Sequence, residues 1–261
     1  MLRRFAYRVG RKLYTWGRAE PRNDPQTNGE YWLIDRVAPQ LGADSIVLDI
    51  GANAGDWSAR LLGAAATPPK LIAFEPARAT RAALATRFAA RRDVEIVDLA
   101  LSDAIGAANF YSSAPGAGTN SLHPASGAQA ETVRTTTLDA FLAERRIAHV
   151  SLAKIDVEGF DSLVLSGARE TLARGSIDLV QFEYNWRWLL NGRSLRAVFE
   201  LIDGLPYRLG KLAGPRLLLF ERWHFELDRF FENNYVLLRE GGPFAALGSP
   251  ASFDRFNVQC W

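Results

Sequence analysis

Cysteine is nearly absent: one residue, Cys260, stands in a chain of 261. A lone thiol excludes an internal disulfide framework and argues against a structural zinc site. Histidine is scarce as well, and His123, His149 and His224 are scattered without ligand spacing. No apolar run reaches the roughly 18 residues of a membrane span, so no spanning helix is expected. Charge of one sign is also lacking. A net charge of +2 predicts no strong attraction to nucleic acid or to acidic surfaces. Met1-Leu2-Arg3-Arg4-Phe5-Ala6 is basic but has no apolar signal core, which makes the cytoplasm the expected compartment. What is present is apolar material, 48% of the residues, enough for one large core.

The most informative stretch is Ile46-Val47-Leu48-Asp49-Ile50-Gly51-Ala52-Asn53-Ala54-Gly55. An apolar run carries one acid near its end, breaks at glycines, and is followed by helical spacing from Asp56. A strand, a glycine turn and a helix N-terminus make a nucleotide-binding corner, because glycine lets ligand and backbone approach closely. The dinucleotide fingerprint needs glycine at 51, 53 and 56, yet 53 is Asn and 56 is Asp. That disfavours a pyrophosphate seat and an NAD-dependent reductase. The acid beside the turn suits a cationic ligand better than a phosphate. A second acid, Glu75, ends the run Lys70–Phe74. Placed roughly 20 residues past the turn, its carboxylate can accept hydrogen bonds from both hydroxyls of a ribose. The alternative is a solvated strand end. Pro76 suits the first position of a following helix.

Strands alternate with helices along the chain, which argues an α/β fold with a mainly parallel sheet covered on both faces. Helices are expected at 2–16, 29–40, 56–65, 77–90, 138–145, 160–174 and 194–203. Strands are expected at 45–50, 70–75, 94–97, 151–156, 177–183, 207–211 and 217–221. Asn109-Phe110-Tyr111 and Thr132-Val133-Arg134-Thr135 read as paired strands around a long Gly/Ser/Ala-rich loop. The expected organisation is an N-terminal helical appendage, 1–42, on one domain, 43–261. In the appendage Arg3, Arg4, Arg8, Arg11, Lys12 and Arg18 stand among Leu2, Phe5, Val9, Leu13 and Trp16 at helical spacing. Such a helix suits a membrane surface or an acidic partner. Packing against its own domain or a dimer mate is the preferred reading, since amphipathic helices more often pack on protein.

Taken together, Asn28-Gly29-Glu30, Val47 to Gly55, Ala73-Phe74-Glu75-Pro76, Ala100-Leu101-Ser102-Asp103, Thr136-Thr137-Leu138-Asp139 and Lys154-Ile155-Asp156-Val157-Glu158-Gly159 resemble the FkbM-type methyltransferases. The likeness runs from about residue 23 to about 185 and is weaker beyond. The first motifs are shared widely; Lys154 to Gly159 with Val164-Leu165-Ser166-Gly167-Ala168 is more specific. The resemblance implies a Rossmann-like class I fold with a seven-stranded sheet and S-adenosylmethionine (SAM) as methyl donor. It further implies that Asp49, Gly51, Ala52, Asn53 and Gly55 contact the methionine part. Glu75, with Pro76 beside it, would bind the ribose, and Ala100 and Leu101 the adenine, with Asp98 near its amine. The family mostly methylates hydroxyl oxygens of macrolides and of bacterial sugars.

A neutral alcohol is a poor nucleophile at pH 7, so a base or a metal is expected beside the acceptor. By analogy with other open α/β sheets, the acceptor lies beyond the fourth and fifth strands. Those ends hold Asp156 and Glu158, then Glu183, Tyr184 and Asn185. In one mechanism Asp156 or Glu183 takes the hydroxyl proton. In the other Asp156, Glu183 and Asn185 bind Mg²⁺, which acidifies the hydroxyl. Glu158 is either part of this set or an acid at the N-terminus of the helix near Phe160. His123, in the irregular loop, is the alternative base. Trp186 and Trp188 serve as a platform for a sugar ring or as core, and Lys154 neutralises carboxylates or snorkels outward. The acceptor is expected to be a sugar hydroxyl of a glycan, glycolipid or glycosylated metabolite, with a macrolide hydroxyl as alternative. A SAM-binding module without catalysis is the rival of another class, and homo-oligomers are compatible with the sequence.

Overall fold

A computed structural model describes residues 1–20, 22–112 and 129–261. Along the chain run α1 (Leu2–Gly17), α2 (Glu30–Val37), β1 (Ile46–Ile50), α3 (Asp56–Ala64), β2 (Lys70–Phe74), α4 (Arg78–Arg87) and β3 (Val94–Val97). Next come β4 (Leu99–Leu101), β5 (Gly106–Ser112), β6 (Gln129–Thr136), α5 (Leu138–Glu144), β7 (Leu152–Ile155), α6 (Asp161–Ser166), α7 (Arg169–Ala173) and β8 (Leu179–Tyr184). The chain closes with α8 (Leu195–Ile202), β9 (Tyr207–Leu212), β10 (Leu217–Phe220), β11 (Asn233–Arg239), β12 (Gly248–Phe253) and β13 (Gln259–Cys260).

One sheet carries the order β13-β12-β10-β9-β11-β8-β7-β1-β2-β3. Strands β3-β2-β1-β7-β8 are parallel, and β11 pairs antiparallel with both β8 and β9. These seven form the α/β core; six of them answer to expected strands, and β11 does not. The strand expected at 217–221 is present as β10, whereas no strand is expected beyond 221; β12 and β13 extend the sheet past β10, and β11 inserts between β8 and β9. The expected pair at 109–111 and 132–135 is present, with Asn109 opposite Thr132, and β4 joins it to make a small second sheet.

Period-two alternation sorts the central strands between two cores. Leu48 and Ile50 of β1 face one cluster with Phe74, Phe141, Val164 and Phe182, while Val47 faces another with Leu33, Ile34, Trp57 and Leu61. Helices α2, α3 and α4 therefore cover one face, and α5 to α8 the other. α2 buries Glu30, Leu33, Ile34 and Val37, the spacing of one helical face. α1 differs: none of its residues is buried, and it meets its own domain through Tyr14, 6.0 Å from the Phe231 ring. Among the described residues no helix is long and apolar enough to cross a membrane.

The helix expected at 160–174 is two helices, broken at Gly167-Ala168. Gly167 presses against the preceding loop, where an added Cβ would lie 2.1 Å from the Ser102 carbonyl oxygen. The Asp139 carboxylate then accepts from the Glu170 and Thr171 N–H groups at 2.9 and 2.8 Å and opens α7. Gly167→Ala is accordingly expected to destabilise the chain by roughly 2–3 kcal/mol in urea unfolding, because backbone rather than a flexible side chain must yield. Gly63→Ala, in α3 with open space at the Cβ position, should be neutral or stabilising by up to about 1 kcal/mol.

Candidate active site

Strand order reverses between β1 and β7, and a cleft opens at their carboxyl ends, the position where open α/β sheets bind ligands. Its floor is Ile50, Gly51 and Asn53 with Phe74, Glu75 and Pro76. One wall comes from the small sheet, through Leu99, Ala100, Leu101 and Phe110, and the other is Asp156 to Glu158 with Phe160. Gly51, at φ +86°, is required here: a Cβ would stand 2.0 Å from the Asp156 carbonyl oxygen. Gly55 supports the turn from behind, against Leu84 and Phe88. The Gly51 and Ala52 N–H groups are spent on the Phe74 carbonyl, at 3.1 and 2.9 Å.

Glu75 closes the turn. Its two oxygens accept from the Asn53 and Ala77 N–H groups, each at 2.9 Å. Burial lifts its carboxyl to about 7, against the pull of these donors and of Arg81. A carboxylate oxygen has room for a second donor, so both oxygens still have capacity for ligand hydroxyls.

Beneath the floor lies a buried polar row. In register across three strands stand Asp49 of β1, Lys154 of β7 and Gln181 of β8. Glu30 of α2 covers the row and accepts from Gln181 Nε2 at 2.9 Å. Lys154 Nζ donates to Asp156 Oδ2 at 2.8 Å, and Ser58 Oγ donates to Asp49 Oδ2 at 2.5 Å. Burial disfavours the Lys154 ammonium, but Asp156, Glu30 and Asp49 together overcome this and raise its pKa. Asp49 is fully buried, and burial outweighs Lys154 and Ser58 to push it upward. No donor among the described residues meets Asp49 Oδ1. Lys154 thus neutralises carboxylates, the first of its two expected roles.

The sequence matches a family profile described as "Methyltransferase FkbM domain" over residues 49–209. The chain belongs to the FkbM methyltransferase family. No curated protein matches it. Among solved structures it is similar to methyltransferase FkbM from Methylobacillus flagellatus, at 14% identity and a TM-score of 0.48, covering 76% of this chain and 44% of that one. The chain therefore spans less than half the length of that relative. It is also similar to an rRNA methylase from Streptococcus thermophilus (14% identity, TM-score 0.42, covering 81% and 94%). A third is precorrin-6y C5,15-methyltransferase from Geobacter metallireducens (10%, 0.42, covering 81% and 88%). The fold is that of the class I methyltransferases, and membership in the family implies SAM as methyl donor. The residues present fit that group: the turn excludes side chains at Gly51, Glu75 retains acceptor capacity, and Asp49 keeps a buried oxygen without a partner.

In this FkbM-family chain Gly51, Asn53, Glu75, Pro76, Ala100, Leu101, Asp156 and Glu158 line the cleft, whereas Asp49, Ala52 and Gly55 lie behind it. Asp98 is not brought in; it is half-exposed and paired with Arg134 at 2.7 Å. Glu158 does not cap the next helix. Its backbone turns to φ +55° and its side chain meets Arg187 at 2.7 Å, while Asp161 takes the helix N-terminus and accepts from the Gly159 and Glu183 N–H groups. Burial and the nearby Asp156 charge lift Glu158 to about 7, against Arg187. Glu183 is buried, accepts from Asn185 Nδ2 at 2.7 Å, and is pushed well above the carboxylate range by burial and by Asp156, Asp161, Glu232 and Glu158.

Asn185 spends its side-chain oxygen on the Arg187 N–H at 2.9 Å, and Asp156 is held by an ammonium. Those donors do not fit Mg²⁺, and among the described residues no three His, Cys, Asp or Glu side chains gather as a metal shell. His123 lies outside the described residues. His149 bonds Asp178 at 2.8 Å ahead of β7 and β8, at the end of those strands opposite to the site acids. Trp188 is core, stacked on Phe182, while Trp186 is 53% exposed. The sequence assigns no role in the site to Glu30, Gln181, Phe110 or Phe160. A Lys in phase with Asp49 inside a buried strand is the signal that points to the row.

Two outcomes follow from these charges. Lys154→Met leaves three carboxylates facing one another, and should cost about 3–5 kcal/mol in denaturant unfolding at neutral pH. Glu75 has a folded pKa of about 7 against an ordinary 4.5, so between these values the folded chain holds a proton that the unfolded chain has lost. Stability from this group is full below about 4.5 and declines as pH rises through about 7. Glu75→Gln should flatten that decline by on the order of 3 kcal/mol, measured as unfolding free energy against pH.

Proposed function

We propose that the chain transfers a methyl group from SAM to a hydroxyl oxygen of a sugar, with Glu158 as general base. The observation that carries this is that Glu75 and Glu158 line one cleft, each lifted to about 7. When bound, SAM supplies an already activated methyl group. Glu75 suits its ribose hydroxyls and the slot of Ala100, Leu101 and Phe110 its adenine, while Asp49, buried behind the glycine turn, sets negative charge beneath the ammonium of its methionine part.

Among the acids, Glu158 matches the task. Its pKa near the working pH lets it accept the acceptor's proton as the oxygen becomes nucleophilic. Asp156 is pinned by Lys154, and Glu183 is driven toward its neutral form, so neither competes. Arg187 orients Glu158 and stabilises it once the proton has left. The exposed Trp186 ring beside this pair offers a face for a sugar. A neutral sugar also agrees with the small net charge, which favours no nucleic-acid acceptor. The soluble cytoplasmic face of a glycan or glycolipid pathway is the compartment this reading requires.

The test couples calorimetry with transfer. Wild-type chain should bind S-adenosylhomocysteine, Asp49→Ala should abolish that binding, and a screen of methyl glycosides and hydroxylated macrolactones should reveal methyl transfer. Glu158→Gln should keep product affinity within about twofold while kcat falls by roughly 10²–10³, and the wild-type rate should rise with pH through about 7. Absent binding by wild type sinks the methyltransferase reading; an undiminished rate in Glu158→Gln sinks the assignment of the base.

A further inference from the structure

α1 presents an apolar stripe that nothing among the described residues covers. Leu2, Phe5, Ala6, Val9, Leu13 and Trp16 recur at helical spacing, and Leu2 and Trp16 are 83% and 82% exposed. Its contact with the rest of the chain comes from another flank and near its end. Tyr14, roughly 140° round the helix from the stripe's centre, lies 6.0 Å from the Phe231 ring. Just beyond the helix, Arg18 binds both the carboxylate and the carbonyl of Glu226. The buried Lys211 donates to the Arg18 carbonyl at 3.2 Å and to Glu20 at 2.7 Å. The helix is thus clamped at its root, with its apolar stripe turned to solvent.

Charge decides what covers the stripe. Arg3, Arg4, Arg8, Arg11 and Lys12 are exposed, and no acid occurs anywhere in α1. Cations flank the stripe on both sides, Lys12 and Arg8 next to Phe5, and Arg3 beyond Gly10. The whole chain is only +2, so the remainder of the molecule is net acidic and the basic charge is concentrated here. Pairing with α1 of a second copy sets these cations against one another. We propose that α1 docks the chain on an anionic lipid surface, lying in the interface with Phe5, Leu13 and Trp16 inserted and its arginines among the headgroups. A stripe with Trp and Phe, bordered by Arg and Lys and too short to span, has the chemistry of an interfacial helix.

The root of α1 adjoins the acceptor side of the cleft. Asn23 donates to Glu232, whose charge acts on both Glu158 and Glu183. Docking therefore sets the acid-lined mouth close to the surface, which suits a hydroxyl carried on an amphiphile; this consequence rests on the methyl-transfer reading, and the docking does not.

The experiment is co-sedimentation of the full chain with vesicles of phosphatidylcholine alone or with roughly one-third phosphatidylglycerol. Wild type is expected to bind the anionic vesicles at least about tenfold more tightly than the neutral ones, and less tightly as salt rises. Leu13→Ser/Trp16→Ser and Arg4→Glu/Arg8→Glu should each lose about tenfold or more in affinity. Both pairs are exposed, so thermal midpoint and circular dichroism should stay at wild-type values and separate docking from folding. Wild type left in the supernatant with anionic vesicles overturns the proposal, as does a Leu13→Ser/Trp16→Ser chain that binds like wild type. So does a wild-type dimer that this double variant converts to monomer without any vesicle binding. None of these readouts involves methyl transfer, so a failure of that reading remains separate.

Discussion

One buried ammonium organises this molecule. Lys154 points from the middle of the sheet into a layer that is otherwise apolar, and three carboxylates from three separate elements converge on it: Asp49 from β1, Glu30 from α2 and Asp156 from the end of β7. Charges taken out of water are tolerated only when paired and hydrogen-bonded. The strand register places Lys154 directly between Asp49 and Gln181, so the pairing is built into the sheet rather than added by a loop. Through it the start of α2, the strand before the glycine turn and the acid at the mouth of the cleft share one reference point.

From that point outward the acids are graded by what surrounds them. Asp156 has a cation at hydrogen-bond distance. Glu158 has one as well, Arg187, but is partly buried among other carboxylates, and the balance leaves it near neutrality. Glu183 and Asp161 are buried with backbone or amide donors and no cation of their own, and both rise well above the ordinary range. The same residue type therefore supplies an anchored anion, a group poised to exchange a proton, and neutral scaffolding. Burial against available positive charge is what separates them.

The parts of the site legible in the sequence were those with strict local chemistry. Ile46–Ile50 announces a central strand through its apolar character around a single acid, and the failed dinucleotide pattern at Asn53 and Asp56 points away from pyrophosphate chemistry. Glu75 was legible from its distance to the turn. The polar row was not, because its members are brought together by register across strands far apart in sequence, and Glu30 by a helix that precedes them all. For the same reason the break at Gly167 was hidden: the segment has helical periodicity, and only the proximity of the Ser102 backbone interrupts it. Trp186 and Trp188 look alike in sequence, yet the short helical turn after β8 sends one to solvent and the other into the core. β11, with its continuous Tyr235-Val236-Leu237-Leu238 run, was readable as a strand in principle; its insertion between β8 and β9 was not.

The free site is under-supplied with donors, and this has a direction. Asp49 has one oxygen without a partner among the described residues, Glu30 and Asp49 are both pushed upward by burial despite sharing Lys154, and Glu75 is lifted although two backbone N–H groups already face it. Each of these acids favours its protonated form more than water would allow, and at neutral pH each ionised one costs stability. On the methyl-transfer reading, a ligand that brings an ammonium above Asp49 and hydroxyl donors to Glu75 supplies what the fold withholds. Binding such a ligand lowers those pKa values toward the ordinary range, drives protons off the protein, and returns the stability that burial removed. A phosphate-bearing ligand would do the reverse, adding negative charge where cations are already too few. On the methyl-transfer reading, this electrostatic deficit favours a cationic nucleoside over a phosphate-bearing one, and the glycine turn contributes the close approach that makes the deficit felt.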